Sequence, residues 1–196
     1  MLSAVGRGSR HRLASVSVGA ASGEPSLEPK RVAESQTTLV QLMEIGHANI
    51  AGIVHGGEVV KLVDTAAGIT AIKHAGGMCV TVSIDEMSFL YPVHVGDLVT
   101  VRASVNDVGT TSLEIGARVE VEDVITGERR HTSSAYLVFV ALDEDGKPRP
   151  VPPLIAETPV EERRRREAKI RRRTRLAHRE AIADHRAREE PPAPTG

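Results

Sequence analysis

The sequence predicts an α+β fold in which one long buried helix is wrapped by a single antiparallel sheet. Three observations carry this. A glycine-punctuated loop, His47 to Gly57, runs into a helical stretch whose apolar residues Val59, Val60, Leu62, Val63, Ala66, Ala67, Ile69, Ala71 and Ile72 cover nearly the whole circumference. A helix apolar all round must be enclosed by the rest of the fold. Segments of two-residue periodicity then follow one another between turn signals, as half-buried strands do.

In chain order, Thr37–Ile45 reads as a first strand and the glycine loop follows it. The helix is expected from Gly57 to about His74, where Gly76-Gly77 supplies the usual glycine stop. Val80, Val82 and Ile84 alternate with polar residues, and Met87 and Phe89 then take the opposite parity, so a bulge is expected near Asp85-Glu86. Pro92 and Gly96-Asp97 punctuate a connection to Val99, Val101, Ala103 and Val105, which again alternate. Gly109, Thr110, Thr111 and Ser112 read as a hairpin turn before the one-sided strand Leu113, Ile115, Ala117, Val119 and Val121. Thr132–Leu142 is apolar on both faces and therefore central. The order is strand, helix, then four strands expected in meander connection, with an open edge and face that favour pairing with a second copy.

Three regions are expected: a leader over residues 1–34, a domain over 35–157, and an Arg-rich helical extension with a Pro-rich frayed end over 158–196. The leader is rich in Ser, Gly and Arg and has no acid before Glu24; a transit peptide and an over-long start are its alternative readings. A net charge of −1 argues against a general nucleic-acid or membrane role. No run approaches the roughly 18–20 apolar residues of a membrane helix, and a cytoplasmic protein is expected. The single Cys79, set in a strand pattern, excludes an intramolecular disulfide and a Cys-rich zinc site, and the histidine spacing suggests no metal. One residue is out of keeping with its surroundings. Asp64 stands in the middle of the apolar helix, where an unpartnered carboxylate costs several kcal/mol. It needs a way to solvent or a purpose.

Asn49, Gly52, His55, Gly56, Gly57 and Asp64 fit the pattern Asn-x-x-Gly-x-x-(His/Phe)-Gly-Gly with an aspartate seven residues after the last glycine. Together with Val80–Val82, Phe89–Val93, Gly96-Asp97, Gly109–Ser112 and Phe139–Asp143, they resemble the hotdog-fold acyl-CoA thioesterases, within them the cytosolic acyl-CoA hydrolase group. The resemblance covers about residues 36–175. It departs after Asp64, where many members carry Glu or another polar residue and this chain has Thr65.

The resemblance implies a hotdog fold and hydrolysis of an acyl-CoA substrate to a free fatty or short-chain acid and coenzyme A, without metal or other cofactor. It also implies a homodimer, assembled further as a trimer of dimers, with Asn49 and Asp64 contributed by opposite subunits. Thioester hydrolysis needs a water, a base and donors for the carbonyl oxygen. Asp64 is the candidate base, or alternatively a direct nucleophile. Gly56 and Gly57 at the helix start offer backbone N–H groups and the positive end of the helix dipole, and Gly57 lies about two turns from Asp64 on one helix face, so donor and base are expected to line one groove. Asn49 is expected to bind the water or the carbonyl; a simple turn residue is the plainer reading. His55 reads equally as a substrate contact and as a satisfied loop histidine.

Gly109, Thr110, Thr111 and Ser112 have a second reading as a CoA phosphate or pantetheine contact. The basic run Arg163, Arg164, Arg165 and Arg166 with Lys169 and Arg171, Arg172 and Arg173 reads as a solvated helix or as a partner of the CoA phosphates, and its interleaved acids argue against nucleic acid. Two other functions compete. A non-catalytic hotdog that senses acyl-CoA would need an added effector module. An enoyl-CoA hydratase would call for a histidine five residues after Asp64, where Ile69 stands.

Overall fold

Five strands make one antiparallel sheet in the computed structural model, which describes residues 27–189. They are β2 (Thr37–Leu42), β3 (Cys79–Phe89), β4 (Asp97–Val108), β5 (Ser112–Asp123) and β6 (Arg129–Ala141), in the spatial order β2-β4-β5-β6-β3. The long helix α2 (Gly56–Ala75) packs across one face and α3 (Pro159–Glu189) across the other. On the α2 side Ala103, Ala117 and Ala135 share one row of the register, opposite Ala66, Ala67 and Ala71 of the helix. Small side chains on both partners let helix and sheet approach closely.

α2 starts and stops where its sequence dictates. His55 is the N-cap, its Nδ1 accepting the Gly57 N–H at 2.9 Å. Gly76 ends the helix with φ 69°, a left-handed conformation that glycine adopts without cost, and its N–H returns to the Ile72 carbonyl. The expected bulge is present, with register shifts between Thr81 and Ser83 and between Ile84 and Glu86.

Three expectations are corrected. The meander holds only from β4 to β6. β3 pairs with β6 at the far edge of the sheet, because β6 is apolar on both faces and needs a ladder partner on each side. Next, residues 27–34 belong to the fold although a leader was expected there. β1 (Lys30–Arg31) pairs in parallel with β7 (Leu154–Ile155), and α1 (Val32–Ser35) buries Val32 and Ser35. Too short to show any periodicity, this segment is held by tertiary contacts alone. The remainder of the expected leader, residues 1–26, and the Pro-rich end, residues 190–196, lie outside the described residues. Finally, α2 is not enclosed all round within one chain. Lys61, Thr65 and Ile72 are exposed, Asp64 and Gly68 half-buried, and the nearby outer edge of the sheet shows Val80, Val82 and Ile84 to solvent.

α3 sits on the opposite face, over a polar surface matched to its arginines. Arg165 pairs with Asp107, Arg175 with Asp85, and Arg171 reaches Glu114 at 2.6 Å while lying over the Tyr136 ring at 3.6 Å. Glu114 is only 6% exposed, so its charge depends on that guanidinium. Among the described residues no helix is long and apolar enough to cross a membrane.

Candidate active site

Asp64 lies two turns into α2, half-buried, and is held by one contact that the sequence did not single out. The Thr81 hydroxyl of β3 donates to its Oδ1 at 2.7 Å. That bond fixes the carboxylate's orientation and leaves Oδ2 open. Thr81 lies in the alternating Val80–Val82 stretch that the resemblance includes; its contact with Asp64 is tertiary, made where the start of β3 runs back along α2.

Asn49 belongs to the loop before the helix. Its Oδ1 accepts the Ala51 N–H at 2.8 Å, a turn that presets the side chain and leaves its Nδ2 hydrogens without a partner among the described residues. Asn49 and Gly56 line a groove of about 280 Å³ with Val59, Phe89, Tyr91 and Val93. Phe89, Leu90 and Tyr91 are half-exposed along it, so the helix N-terminus opens onto an apolar wall.

The two glycines have different parts. The Gly57 N–H is taken by the His55 cap, and a Cβ at Gly57 would stand 2.9 Å from His55 Nδ1. The Gly56 N–H has no acceptor among the described residues and faces the groove, where a Cβ would meet only the Phe89 ring edge at 3.6 Å. Of the two donors expected, Gly56 remains available; His55 is accounted for as the cap. Gly56 and Asp64 are eight residues apart on one helix, about 12 Å along its axis. Donor and base of the same chain cannot reach one thioester carbonyl, so the single groove expected for them within one chain is not formed.

The residues expected to hold CoA are brought together only in part, with Arg163 and Arg164 apart from the Gly109–Ser112 turn. Gly109–Ser112 is a hairpin turn closed by the Gly109 N–H to Ser112 carbonyl bond at 2.7 Å, and the Thr110 and Thr111 carbonyls accept from Val151 and Ala141. Arg172, from the same basic run, stands over the turn: a Cβ at Gly109 would lie 2.5 Å from its Nη1. Arg163 and Arg164 line a separate groove of about 320 Å³ with Arg102, Arg118 and Tyr136. There Arg163 pairs with Glu167, and Arg164 reaches the Ser104 hydroxyl at 3.5 Å. Burial pushes the Cys79 thiol up to about 11, against the pull of Arg149, so it is no nucleophile. Among the described residues no group of three or more His, Cys, Asp or Glu side chains is placed to hold a metal ion.

Comparison with known proteins follows the same lines. A model of the thioesterase superfamily matches residues 51–128. Protein VdlD of Helicobacter pylori is 44% identical over 117 residues, 60% of this chain and 67% of that protein. The mouse cytosolic acyl coenzyme A thioester hydrolase is 35% identical over 146 residues, 74% of this chain and 38% of that protein, so the chain spans well under half of that relative. Among solved structures, an apo hexameric acyl-CoA thioesterase superposes with a TM-score of 0.75 at 36% identity, over 77% of this chain and 97% of that one. The acyl-CoA hydrolase of Staphylococcus aureus, solved with butyryl coenzyme A, coenzyme A and coenzyme A disulfide, gives a TM-score of 0.74 at 33% identity, over 80% and 95%. That hydrolase has also been solved with alanine replacing an aspartate, an asparagine and a threonine. Sequence identity over whole domains, the matching sheet and helix, and the glycine loop before Asp64 lead to one assignment: the chain belongs to the hotdog-fold acyl-CoA thioesterases of the thioesterase superfamily.

Proposed function

We propose that this protein hydrolyses acyl-CoA to a free fatty or short-chain acid and coenzyme A, with Asp64 assisting attack of water on the thioester at a site completed by a second copy of the chain. One observation carries the reading. Asn49, Asp64 and Thr81 stand in the same order and at the same spacing as the asparagine, aspartate and threonine replaced in the Staphylococcus aureus hydrolase, and here Thr81 grips Asp64 directly.

The chemistry follows from what each atom offers. The free oxygen of Asp64 takes a proton from water as the water oxygen bonds to the thioester carbon. The carbonyl oxygen, becoming an oxyanion, receives the Gly56 N–H at the positive end of α2 and a hydrogen of Asn49 Nδ2. The C–S bond then breaks, and the proton held by Asp64 passes to the departing thiolate. The apolar wall of Phe89, Leu90 and Tyr91 receives the acyl group. No metal or redox group is needed for these steps.

The separation of about 12 Å between Gly56 and Asp64 within one chain supports a site built from the donor end of one helix and the aspartate of another. β3 offers the means. It is an edge strand with unpaired backbone groups and exposed apolar side chains at Val80, Val82 and Ile84, and antiparallel pairing with the β3 of a second copy would satisfy the first and shelter the others. Assembly as a trimer of dimers fits the hexameric thioesterases of this fold, and the cytoplasm is the proposed compartment.

Thiol release from a panel of acyl-CoA substrates tests the reading. Turnover is expected with the wild type, falling at least ~100-fold in Asp64→Asn with folding retained. Acyl-CoA binding without thiol release would instead make the protein a sensor, and full activity in Asp64→Asn would remove the aspartate from the chemistry.

A further inference from the structure

We infer that α3 belongs to two chains at once: its outer half, residues 176–189, lies over the sheet of a second copy, antiparallel to that copy's own α3. The inference rests on the β3-edge dimer proposed above and adds a second, separate interface to it.

The path of α3 is fixed by its contacts. Arg164 and Arg165 meet Ser104 and Asp107 on β4, Arg171 meets Glu114 on β5 and Tyr136 on β6, and Arg175 meets Asp85 on β3. From Arg164 to Arg175 the helix advances roughly 16 Å, and from β4 to β3 the sheet advances three strand spacings, roughly 14 Å. The helix therefore runs across the strands, toward the β3 edge. It does not stop there. From Leu176 to Glu189 it continues for roughly 21 Å with every residue exposed, Leu176 and Ile182 among them. A helix of this length with nothing to pack against is marginal in water.

Symmetry supplies the surface. α3 passes over Ser83–Glu86, the middle of β3. If two β3 edges pair antiparallel about that point, the two-fold axis stands half a strand spacing beyond β3, roughly 2.4 Å. Along α3 that is one to two residues past Arg175. Residues equidistant from this point on the two helices face each other, with the helices side by side at the usual 8–10 Å. Arg173 then meets Glu180 of the second copy and Lys169 meets Asp184, all four on one flank of the helix, clear of its sheet-facing residues Ala168, Arg171 and Arg175. Each pair is of opposite charge, and each occurs twice in the dimer. A flank whose inner part carries Lys169 and Arg173 and whose outer part carries Glu180 and Asp184 is complementary to itself in this antiparallel setting.

The test uses single cysteines in the full-length chain, with Cys79 replaced by alanine, and a short bismaleimide. Ile84→Cys reports on the β3 seam, Leu176→Cys on the crossing of the two helices, and Arg188→Cys on their distant ends. Covalent dimer is expected from Ile84→Cys and Leu176→Cys, and none from Arg188→Cys. Linking at position 84 without linking at 176 overturns the inference while leaving the seam intact. Linking at neither overturns both, and linking at 188 excludes the antiparallel setting. As a second measure, Glu180→Arg is expected to raise the dimer dissociation constant about tenfold at low salt. Adding Arg173→Glu to the same chain is expected to restore it; failure of that restoration would refute the pairing.

Discussion

His74 joins three segments that are far apart in the chain, and its replacement by alanine measures how much the fold depends on that junction. The ring is wholly buried on α2. Its Nε2 donates to the Pro152 carbonyl at 3.0 Å, and its Nδ1 accepts from the Ser35 hydroxyl at 3.5 Å. Alanine removes both bonds, leaves the buried Pro152 carbonyl without its partner while the Ser35 hydroxyl keeps the Val32 carbonyl at 3.4 Å, and opens a cavity of ring size. Together these amount to a loss of about 3–5 kcal/mol.

A pH dependence accompanies the loss, and its sign is fixed. Burial holds the imidazole below its ordinary 6.5, against the Pro152 hydrogen bond, which favours protonation. Below that value the unfolded chain binds a proton at this residue that the folded chain does not. The stability contributed by neutral His74 is therefore whole above 6.5 and is lost as the pH falls, by up to about 1.4 kcal/mol per pH unit until the folded pKa is reached. His74→Ala lacks that loss. Urea unfolding at one protein concentration, at about pH 7.5 and about pH 5.5, is expected to show a gap between wild type and variant that narrows on the acid side. A gap that stays constant, or one below about 1 kcal/mol at neutral pH, would refute the reasoning.

Further outcomes follow from the site and from α3. Asn49→Ala and Asp64→Ala are each expected to be inactive, and mixing them after reversible denaturation should regain about a quarter of wild-type activity, the share of sites that draw both intact residues from a randomly mixed dimer; heterodimers that form without activity would place both residues in one subunit's site. Gly57→Ala should cost about 1 kcal/mol in thermal or urea unfolding by displacing the His55 cap, whereas Gly56→Ala, meeting only Phe89 at 3.6 Å, should fold nearly as well as wild type. Arg171→Ala strands the Glu114 carboxylate beneath α3 and is expected to cost about 3–5 kcal/mol in urea unfolding; a loss under about 1 kcal/mol would mean that Glu114 finds another partner or water.

The elements were legible in the sequence because their periodicities are local. The apolar helix with its glycine stop, the alternating strands, and the bulge signalled by a change of parity near Asp85 each leave a mark within a few residues. The family was legible for a related reason: the glycine loop and Asp64 form a short pattern, and a carboxylate in an apolar helix contradicts its surroundings. Their sum determined an α+β chain with one central helix and a candidate reaction. What a sequence of local patterns does not contain is who stands next to whom. That β3 pairs with β6, that Val32 and Ser35 close over His74, that Thr81 turns its hydroxyl to Asp64 and that His55 takes up the Gly57 N–H are all contacts between segments without a shared local signal. The separation of Gly56 from Asp64 along one rigid helix, and the row of α3 arginines laid across acids of three strands, Asp107, Glu114 and Asp85, were likewise decided by the tertiary structure. Burial and hydrogen bonding are satisfied in space, and only there do distant residues compete for the same partner.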